Sequence, residues 1–520
     1  MQIVVPMSGF GERFRRAGYT VPKPLIEVDG KPIIAHIINL FPGAERFIFI
    51  CNQDHLDQPE FRMRDILKEC CPDGVIVGVA PHKLGPVHAV RQAAEFIDPD
   101  QPVIVNYCDF SCRWDFAAFQ RFAKDSRCDG AVICYSGFHP HMLNSTNYAY
   151  VKMEEERVIA IQEKKPYTNT PMNEPASSGS YYFRTGRLML EAFAITCADP
   201  ELALNGEYYV SLAYRPLLQK GCNIAMYSIP HFMQWGTPED IADYRSWAAM
   251  SRAVKAAKGV SPPRHLGAVL IPMAGFGARF ASAGYSVPKP LIEVDGLPMV
   301  IRAARDLPQA PQRIFVLRRD MPGYEEISVA LIRYFPGCRL VTLDKPTDGQ
   351  ARTCLLGMDN VALDEPLTIG ACDNGAVYDG ARLSAVLEDD GVDVVVWGVR
   401  GHPGAARHPQ MYGWIDAEGD VIRNISVKTP LSDPRNDPII TGAFTFKRAR
   451  DFVAAANRLI ERGGAVNGEF YVDSAINDAL ALGLRCRLFE VDAYPCWGTP
   501  NDLKTYEYWL KCLDPFFGNA

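Results

Sequence analysis

The 520-residue chain has room for about two to four domains, and its 48% hydrophobic and 22% charged residues are typical of soluble globular proteins. Its net charge of −7 at pH 7 argues against a nucleic-acid backbone as partner, because that would need a broad basic surface. No apolar run approaches the roughly 20 residues of a membrane span, so none is expected.

The fifteen cysteines are odd in number and scattered, and their spacing matches no zinc pattern. They are therefore interpreted as reduced thiols, which fits a cytoplasmic protein. The first strand follows Met1 almost directly, so no signal peptide is expected.

One stretch of the sequence occurs twice, 266 residues apart. Residues 3–34 and 269–300 are identical at 21 of 32 positions. A repeat of this length with a period near half the chain indicates two copies of a whole domain. We predict domains at 1–257 and 266–520, joined by a Gly- and Pro-containing linker at 258–265.

Each copy begins with a short apolar run that predicts a buried strand, followed by a loop of small residues. Glycine lets such a loop turn sharply and approach a ligand, and its backbone N–H groups can bind anions. The loop residues are Met7, Ser8, Gly9 and Gly11 in the first copy and Met273, Ala274, Gly275 and Gly277 in the second.

Two cations follow each glycine loop. Arg13 and Arg279 can fork onto phosphate oxygens. Lys23 and Lys289 each stand between two prolines, which restrict the backbone and fix the direction of the ammonium group. Together these features predict a cradle for a triphosphate.

Apolar runs at 46–51, 74–80, 102–107 and 130–135 alternate with predicted helices at 33–40 and 88–96. This alternation predicts a mostly parallel sheet with helices on both faces, and segments 148–153 and 180–183 suit an inserted antiparallel part. Asp109 and Asp373 follow predicted strands. At a strand's carboxyl end, an aspartate lies in the ligand crevice and can hold Mg²⁺, although it could instead cap a helix.

The pattern GFGERF…PKPLIEVDGKP, with GFGARF…PKPLIEVDGLP in the second copy, resembles the signature of the sugar-1-phosphate nucleotidyltransferases, or nucleotide-sugar pyrophosphorylases. The resemblance extends over nearly all of both halves. It implies an α/β fold: two tandem Rossmann-like nucleotide-diphospho-sugar transferase (GT-A-like) domains, each a mostly parallel mixed sheet flanked by helices. It also makes Asp109 and Asp373 the best metal ligands in the chain.

The resemblance implies roles for further residues, and for some of them a purely structural role is the alternative. A loop around Gly85 or Gly349 would read the nucleobase, or is a plain turn. Lys165, paired by spacing with Lys428, would contact the sugar phosphate, or is a solvated lysine. Gly179 and Glu207, with Gly442 and Glu469, would contact the sugar, or the glutamates only favour a helix start.

Both halves depart from the family at the second metal ligand. Many members have an aspartate two residues before a late glycine, and here Gln234 and Cys496 stand there. The nearby Asp240 and Asp502 could substitute as ligands or could cap the next helix.

The expected reaction is NTP plus sugar-1-phosphate to NDP-sugar plus pyrophosphate, with Mg²⁺, for surface polysaccharide precursors. A GT-A glycosyltransferase is one alternative, but both strand ends lack its usual Asp-x-Asp. A non-catalytic regulatory half is another, because the second half has Leu297 for Lys31 and, by the same spacing, Ser426 for Glu163. The sequence leaves open the sugar or other phosphate ester, the base and whether the chain forms a homo-oligomer.

Overall fold

The computed structural model describes residues 1–275 and 277–517, so Phe276 in the second glycine loop lies outside the described residues. The chain divides into two compact units, Met1–Arg245 and Ser246–Ala520. The predicted boundary at 257 lies beyond this division, near the end of the helix Pro238–Ala256. The predicted linker, 258–265, contains no helix, and a single bridge joins Arg264 to Gln309.

The strands of the first half mostly follow apolar runs of the sequence. They are β1 (Gln2–Met7), β2 (Glu27–Val28), β3 (Lys31–Pro32), β4 (Arg46–Asn52), β5 (Val75–Val79), β6 (Val103–Asn106), β7 (Phe110–Arg113), β8 (Gly130–Tyr135), β9 (Ala149–Glu154), β10 (Arg157–Glu163), β11 (Ala176–Phe183), β12 (Ile224–Ser228) and β13 (His231–Gln234).

The helices connect these strands and flank the sheet. They are α1 (Glu12–Arg16), α2 (Ile33–Asn39), α3 (Gln53–Asp57), α4 (Met63–Cys70), α5 (Pro86–Gln92), α6 (Phe116–Asp125), α7 (Gly186–Ala198), α8 (Tyr214–Gln219) and α9 (Pro238–Ala256).

The second half repeats this plan. Its strands are β14 (Ala268–Pro272), β15 (Glu293–Val294), β16 (Leu297–Pro298), β17 (Gln312–Arg318), β18 (Arg339–Leu343), β19 (Leu367–Ile369), β20 (Val394–Val399), β21 (Gly413–Glu418), β22 (Val421–Val427), β23 (Ile439–Phe446) and β24 (Cys486–Glu490). Its helices are α10 (Ala278–Ser282), α11 (Met299–Asp306), α12 (Tyr324–Tyr334), α13 (Gln350–Leu356), α14 (Gly380–Glu388), α15 (Pro403–Arg407), α16 (Ala449–Glu461), α17 (Val472–Ala481) and α18 (Pro500–Phe517).

The main sheets of the two halves have the same strand order. Within the described residues it is β5-β4-β1-β6-β11-β8-β12-β10-β9 in the first half and β18-β17-β14-β19-β23-β20-β24-β22-β21 in the second. In the first half, parallel pairing joins β5, β4, β1 and β6, and also β8 to β12, whereas β9, β10 and β11 pair antiparallel. The duplicated mixed α/β sheet is thus confirmed, with the antiparallel part where the sequence predicted it.

Each sheet is buried between two layers of side chains. Along β14, Ala268 and Leu270 belong to one hydrophobic cluster, whereas Val269 and Ile271 belong to another. Successive side chains of a strand point to opposite faces, so the β14 sheet has a core on each side. No helix among the described residues combines the length and hydropathy needed to cross a membrane.

The topology brings two loops together at the carboxyl edge of each sheet. β1 pairs in parallel with β6, so the loops that leave these strands lie side by side. One is the glycine loop that starts after Met7, and the other contains Asp109. β14 and β19 place the glycine loop and Asp373 of the second half in the same relation.

Candidate functional site

A cavity of about 590 Å³ opens at this edge of the first half. It brings together most of the predicted site residues, although they lie far apart in the sequence. Those on its wall are Met7, Ser8, Gly9, Gly11, Arg13, Lys23, Gly85, Asp109 and Glu207.

The shape of the glycine loop depends on a left-handed backbone. Gly11 precedes α1 with φ 62°, and Gly277 precedes α10 with φ 63°. A residue with a side chain adopts this conformation at a cost of roughly 1–2 kcal/mol, whereas glycine adopts it freely. The turn places Arg13, in the first turn of α1, on the cavity wall.

The clamped lysine and the strand-end aspartate form an ion pair in each half. Lys23 Nζ lies 3.0 Å from Asp109 Oδ2, and Lys289 Nζ lies 2.6 Å from Asp373 Oδ2. Burial by itself lowers the pKa of each lysine, but the aspartate outweighs it and the net pKa is raised. Each lysine therefore stays a cation on the cavity wall.

A second cavity, of about 380 Å³, lies at the matching edge of the second half. It is lined by Met273, Gly275, Gly277, Lys289 and Asp373 of the predicted set. The other predicted residues of this half lie off this wall, although Gln350, next to Gly349, is on it: Ala274, Arg279, Gly349, Lys428, Gly442, Glu469 and Asp502. The Ala274 carbonyl accepts a hydrogen bond from the buried Arg318, 3.1 Å away.

The two cavities differ in charge. Arg13, Arg16, Lys23 and Lys83 line the first. Of the described residues that line the second, Lys289 carries positive charge. Arg279 is exposed and does not line this cavity. Lys83 also reaches across to Glu12 at 2.9 Å, a contact that Thr347 and Ala278 cannot form at the corresponding positions.

The loops of Gly85 and Gly349 pack directly on a neighbouring backbone. Tyr208 N donates to Leu84 O at 2.9 Å, and Phe470 N donates to Asp348 O at 2.8 Å. A Cβ on Gly85, where φ is 85°, would lie 2.7 Å from Tyr208 N, and one on Gly349 would lie 2.3 Å from Phe470 N. Glycine is required here for close packing, which sequence reasoning missed. The contact joins the predicted base-reading loop to the segment that carries Glu207 or Glu469.

The expected pairing of Lys165 with Lys428 is wrong. Lys428 N donates to Tyr412 O, and in the first half it is Lys164 N that donates to Tyr148 O. Lys164 and Lys428 also share a left-handed backbone, with φ of 56° and 63°. Lys165 is exposed and lies off the cavity wall. The halves were misaligned because the loop after β10 is one residue longer than the loop after β22.

Tyr209 is a further site residue that the sequence analysis missed. It lines the first cavity, donates to Glu207 Oε2 at 2.5 Å and accepts from Lys164 Nζ at 2.7 Å. In the second half, burial and then a hydrogen bond with Glu469 raise the pKa of Tyr471 to about 12. The signal was available, because NGEYYV and NGEFYV share this tyrosine.

Gly179 and Gly442 adopt left-handed conformations, with φ of 96° and 82°. Tyr107 N donates to Gly179 O at 3.0 Å, and a Cβ on Gly179 would lie 3.1 Å from the Tyr107 ring. Gly179 is buried behind the first cavity wall, which Tyr107 itself lines. A sugar contact from either glycine stays a prediction.

Asp240 and Asp502 form capping boxes at the starts of α9 and α18. Asp240 Oδ2 accepts from Thr237 N at 2.9 Å, while Thr237 Oγ1 accepts from Asp240 N at 3.2 Å. Thr499 and Asp502 make the same reciprocal pair. The sequence left open whether Asp240 and Asp502 are metal ligands or helix caps, and the structure shows both of them as caps. Burial raises the pKa of both carboxyls, although the threonine hydrogen bonds oppose it.

The segment ahead of each box lies beside the strand-end aspartate. Trp235 N donates to Asp109 O, and Trp497 N donates to Asp373 O. A Cβ on Gly498 would lie within 4 Å of Asp373, Cys496 and Asp502 side chains. Across the described residues, however, no group of three or more His, Cys, Asp or Glu is arranged to hold a metal ion.

Comparison with known protein families identifies both halves. Residues 4–203 match the family model described as nucleotidyl transferase, and residues 269–421 match the model of the MobA-like NTP transferase domain. The chain carries two nucleotidyltransferase domains in tandem. This confirms the resemblance inferred from the repeated motif.

Curated relatives match part of the chain. The bifunctional protein GlmU of Burkholderia thailandensis is 34% identical over 109 residues, which are 21% of this chain and 22% of that protein. The mannose-1-phosphate guanyltransferase of Yarrowia lipolytica is 26% identical over 138 residues, which are 26% of this chain and 37% of that protein. The chain thus spans less than two fifths of the length of either relative.

Solved structures are similar to about half of this tandem nucleotidyltransferase. A nucleoside-diphosphate-sugar pyrophosphorylase from Vibrio cholerae has 24% identity and a TM-score of 0.39, covering 46% of this chain and 98% of that chain. An inositol-1-phosphate CTP transferase from T. maritima has 15% identity and a TM-score of 0.38, covering 48% of this chain and 98% of that chain.

Gly85→Ala should destabilise the first unit, because the new Cβ meets the Tyr208 backbone at a positive φ. We expect the free energy of unfolding of the first unit to fall by roughly 2–4 kcal/mol. Thermal or urea denaturation of the full chain would show this as a lower midpoint for the transition of that unit. Gly9→Ala is the matched control, since a Cβ there has nothing within 4 Å. Equal melting of the two variants would contradict the packing role.

Proposed function

We propose that each half transfers a nucleotidyl group from an NTP to a sugar-1-phosphate and releases pyrophosphate. The observation that carries the proposal is the single cavity in which a glycine loop, Arg13 and the Lys23–Asp109 pair face one another. Anion-binding backbone and a fixed cation are what phosphoryl transfer needs, because its catalysis is mostly positioning and charge neutralisation. The mannose-1-phosphate guanyltransferase among the relatives supports a sugar-1-phosphate as acceptor.

In the proposed reaction a phosphate oxygen of the acceptor attacks the α-phosphorus, and pyrophosphate leaves from the opposite side. The glycine loop and Arg13 hold the β- and γ-phosphates. Lys23 neutralises charge at the phosphorus under attack. Lys164, rather than the exposed Lys165, orients the acceptor phosphate, while Glu207 accepts hydrogen bonds from sugar hydroxyls. Gly179 and the Gly85 loop shape the sugar and base ends of the cavity.

The second half offers a parallel set: Arg279, Lys289, Asp373, Lys428, Gly442 and Glu469. Lys289 and Asp373 keep the same ion pair as the first half, which supports a working second site over a purely regulatory copy. Differences in cavity wall and charge support different substrates for the two halves. The glycosyltransferase alternative gains no support, because no second aspartate accompanies Asp109 or Asp373 at these strand ends.

The residues present fit a magnesium ion that is held largely by the substrate. Asp109 and Asp373 each put a carboxylate on a cavity wall, and Mg²⁺ in nucleotide enzymes is bound by one or two carboxylates together with phosphate oxygens and water. Asp109 and Asp373 would hold it, whereas Asp240 and Asp502 are engaged as caps. The ion would neutralise charge on the triphosphate. Supply of polysaccharide precursors and a cytoplasmic location are part of the proposal.

Lys23→Ala and Lys289→Ala should each strongly lower turnover at one site without unfolding the chain. Loss of a preorganised cation at the reacting phosphorus is expected to cost about 10²–10³ in kcat. The measurement is pyrophosphate release in a screen of NTPs against sugar-1-phosphates. Lys165→Ala is the matched control and should retain activity. Undiminished turnover in the Lys23→Ala/Lys289→Ala double variant would refute the proposed chemistry.

Asp109→Asn and Asp240→Ala should separate metal binding from helix capping. We expect Asp109→Asn to raise the Mg²⁺ concentration for half-maximal turnover, because it removes the carboxylate on the cavity wall. Asp240→Ala should leave that concentration unchanged and lower stability by about 0.5–2 kcal/mol, as loss of a cap does. A Mg²⁺ titration and a denaturation curve for each variant check this, and identical Mg²⁺ shifts would overturn the distinction.

A further inference from the structure

A partly buried carboxylate, that of Glu163, lies next to Lys164 in the first half. Glu163 ends β10, pairs with Ala149 across the strands and accepts a hydrogen bond from Ser211 Oγ at 2.5 Å. Ser211 is fully buried, two residues after Tyr209, which binds both Lys164 and Glu207. Glu163 itself is not on the cavity wall, so it acts behind the residues that line the cavity.

The second half has lost this glutamate. Val427 ends β22 and pairs with Gly413 as Glu163 pairs with Ala149, so Val427 occupies the position of Glu163. The earlier assignment of Ser426 to this position is wrong for the same reason as the Lys165 pairing. In the second half, β22 therefore supplies no carboxylate next to Lys428.

A carboxylate reaches the same region from the opposite element. Tyr471 precedes α17 as Tyr209 precedes the short helix Val210–Ala213, so Asp473 occupies the position of Ser211. Asp473 extends toward β21: a Cβ built on Gly413 would lie 2.3 Å from its Oδ2. Gly413 therefore leaves the space that the carboxylate fills.

We infer that Asp473 is a positioning residue of the second site, where it replaces the Glu163 carboxylate from the other side of the same pocket. The exchange involves three positions: Ala149, Glu163 and Ser211 in the first half become Gly413, Val427 and Asp473 in the second. The three changes fit one another. With the Asp473 carboxylate supplied from the helix, the strand no longer needs a glutamate at position 427, and Gly413 leaves room for the carboxylate opposite it. Interaction with the helix dipole alone does not account for the glycine opposite this carboxylate.

The inference rests on the proposed function for its chemical meaning. Lys428 would orient the acceptor phosphate, and a neighbouring carboxylate fixes the charge environment of its ammonium group. The two carboxylates have equivalent partners: burial raises the pKa of both, and Lys164 opposes this effect at Glu163 as Lys428 does at Asp473. Asp473 thus deepens the case that the second half handles its own phosphate ester.

The kinetic test uses the full chain in a Lys23→Ala background, which silences the first site. Asp473→Ser should raise the KM for the sugar-1-phosphate about tenfold and leave the KM for NTP nearly unchanged. Adding Val427→Glu should restore the KM, because it rebuilds the arrangement of the first half. Asp451→Asn, a change at another helix-start aspartate of this half, should not alter either KM. No effect of Asp473→Ser, or no rescue by Val427→Glu, overturns the inference.

Thermal denaturation tests whether positions 427 and 473 share one pocket, and it needs no measurement of enzymatic activity. Val427→Glu with Asp473 in place puts two carboxylates in one pocket and should lower the Tm of the second unit. Asp473→Ser added to it should raise the Tm again. If the second change lowers the Tm further, the two positions do not share a pocket and the inference fails. Lack of turnover in the unmodified chain with every NTP and sugar-1-phosphate would instead count against the proposed function alone.

Discussion

The contact between a proline-clamped lysine and a strand-end aspartate organises both halves of this protein. Lys23 and Asp109 are 86 residues apart, yet their charged atoms lie 3.0 Å from each other. The pair forms because parallel pairing of β1 and β6 brings two loops to one edge of the sheet. Asp109 stabilises the charged form of Lys23 in a partly buried place and so raises the pKa of the lysine. A cation and an anion are thus held ready at the wall of an open cavity, where an incoming phosphate or metal ion can exchange with the partner.

The rest of the cavity is built onto this pair by backbone contacts. Trp235 N binds Asp109 O, which fixes the late WGTP segment beside the aspartate. Tyr208 binds the Leu84 carbonyl, which fixes the loop of Gly85 to the segment carrying Glu207. These bonds connect the Asp109 loop to the WGTP segment, and the Gly85 loop to the Glu207 segment, without relying on long flexible side chains. A site assembled from main-chain contacts keeps its geometry when surface side chains change.

Residues in the repeated motif could be placed from the sequence, whereas residues in loops of unequal length could not. Gly11 and Asp109 follow strands with clear apolar runs, and Lys23 lies within the repeated motif itself. A strand tolerates no shift, because a slip of one residue would turn every side chain to the other face. Lys164 was missed because the alignment was counted from the following glycine, across a loop that differs by one residue between halves. Loops accept such differences on the surface. Asp240 could not be assigned from sequence because a capping carboxylate and a metal ligand have the same spacing.

The two halves show which features a duplicated site can change and which it keeps. The ion pair, the left-handed glycine and the tyrosine–glutamate contact are present in both. Cations on the cavity wall differ, with Lys83 in the first half and Thr347 at that position in the second. The carboxylate near Lys164 and Lys428 is an intermediate case. We infer that both halves have it in the same pocket, but that Glu163 on a strand supplies it in the first half and Asp473 on a helix supplies it in the second. A charge can move between neighbouring backbone positions if the pocket stays filled, because electrostatic interaction depends on where the charge lies and not on which element carries it. On the proposed function, the two halves therefore differ at the outer wall of the cavity and keep the charges that would lie next to the reacting phosphates.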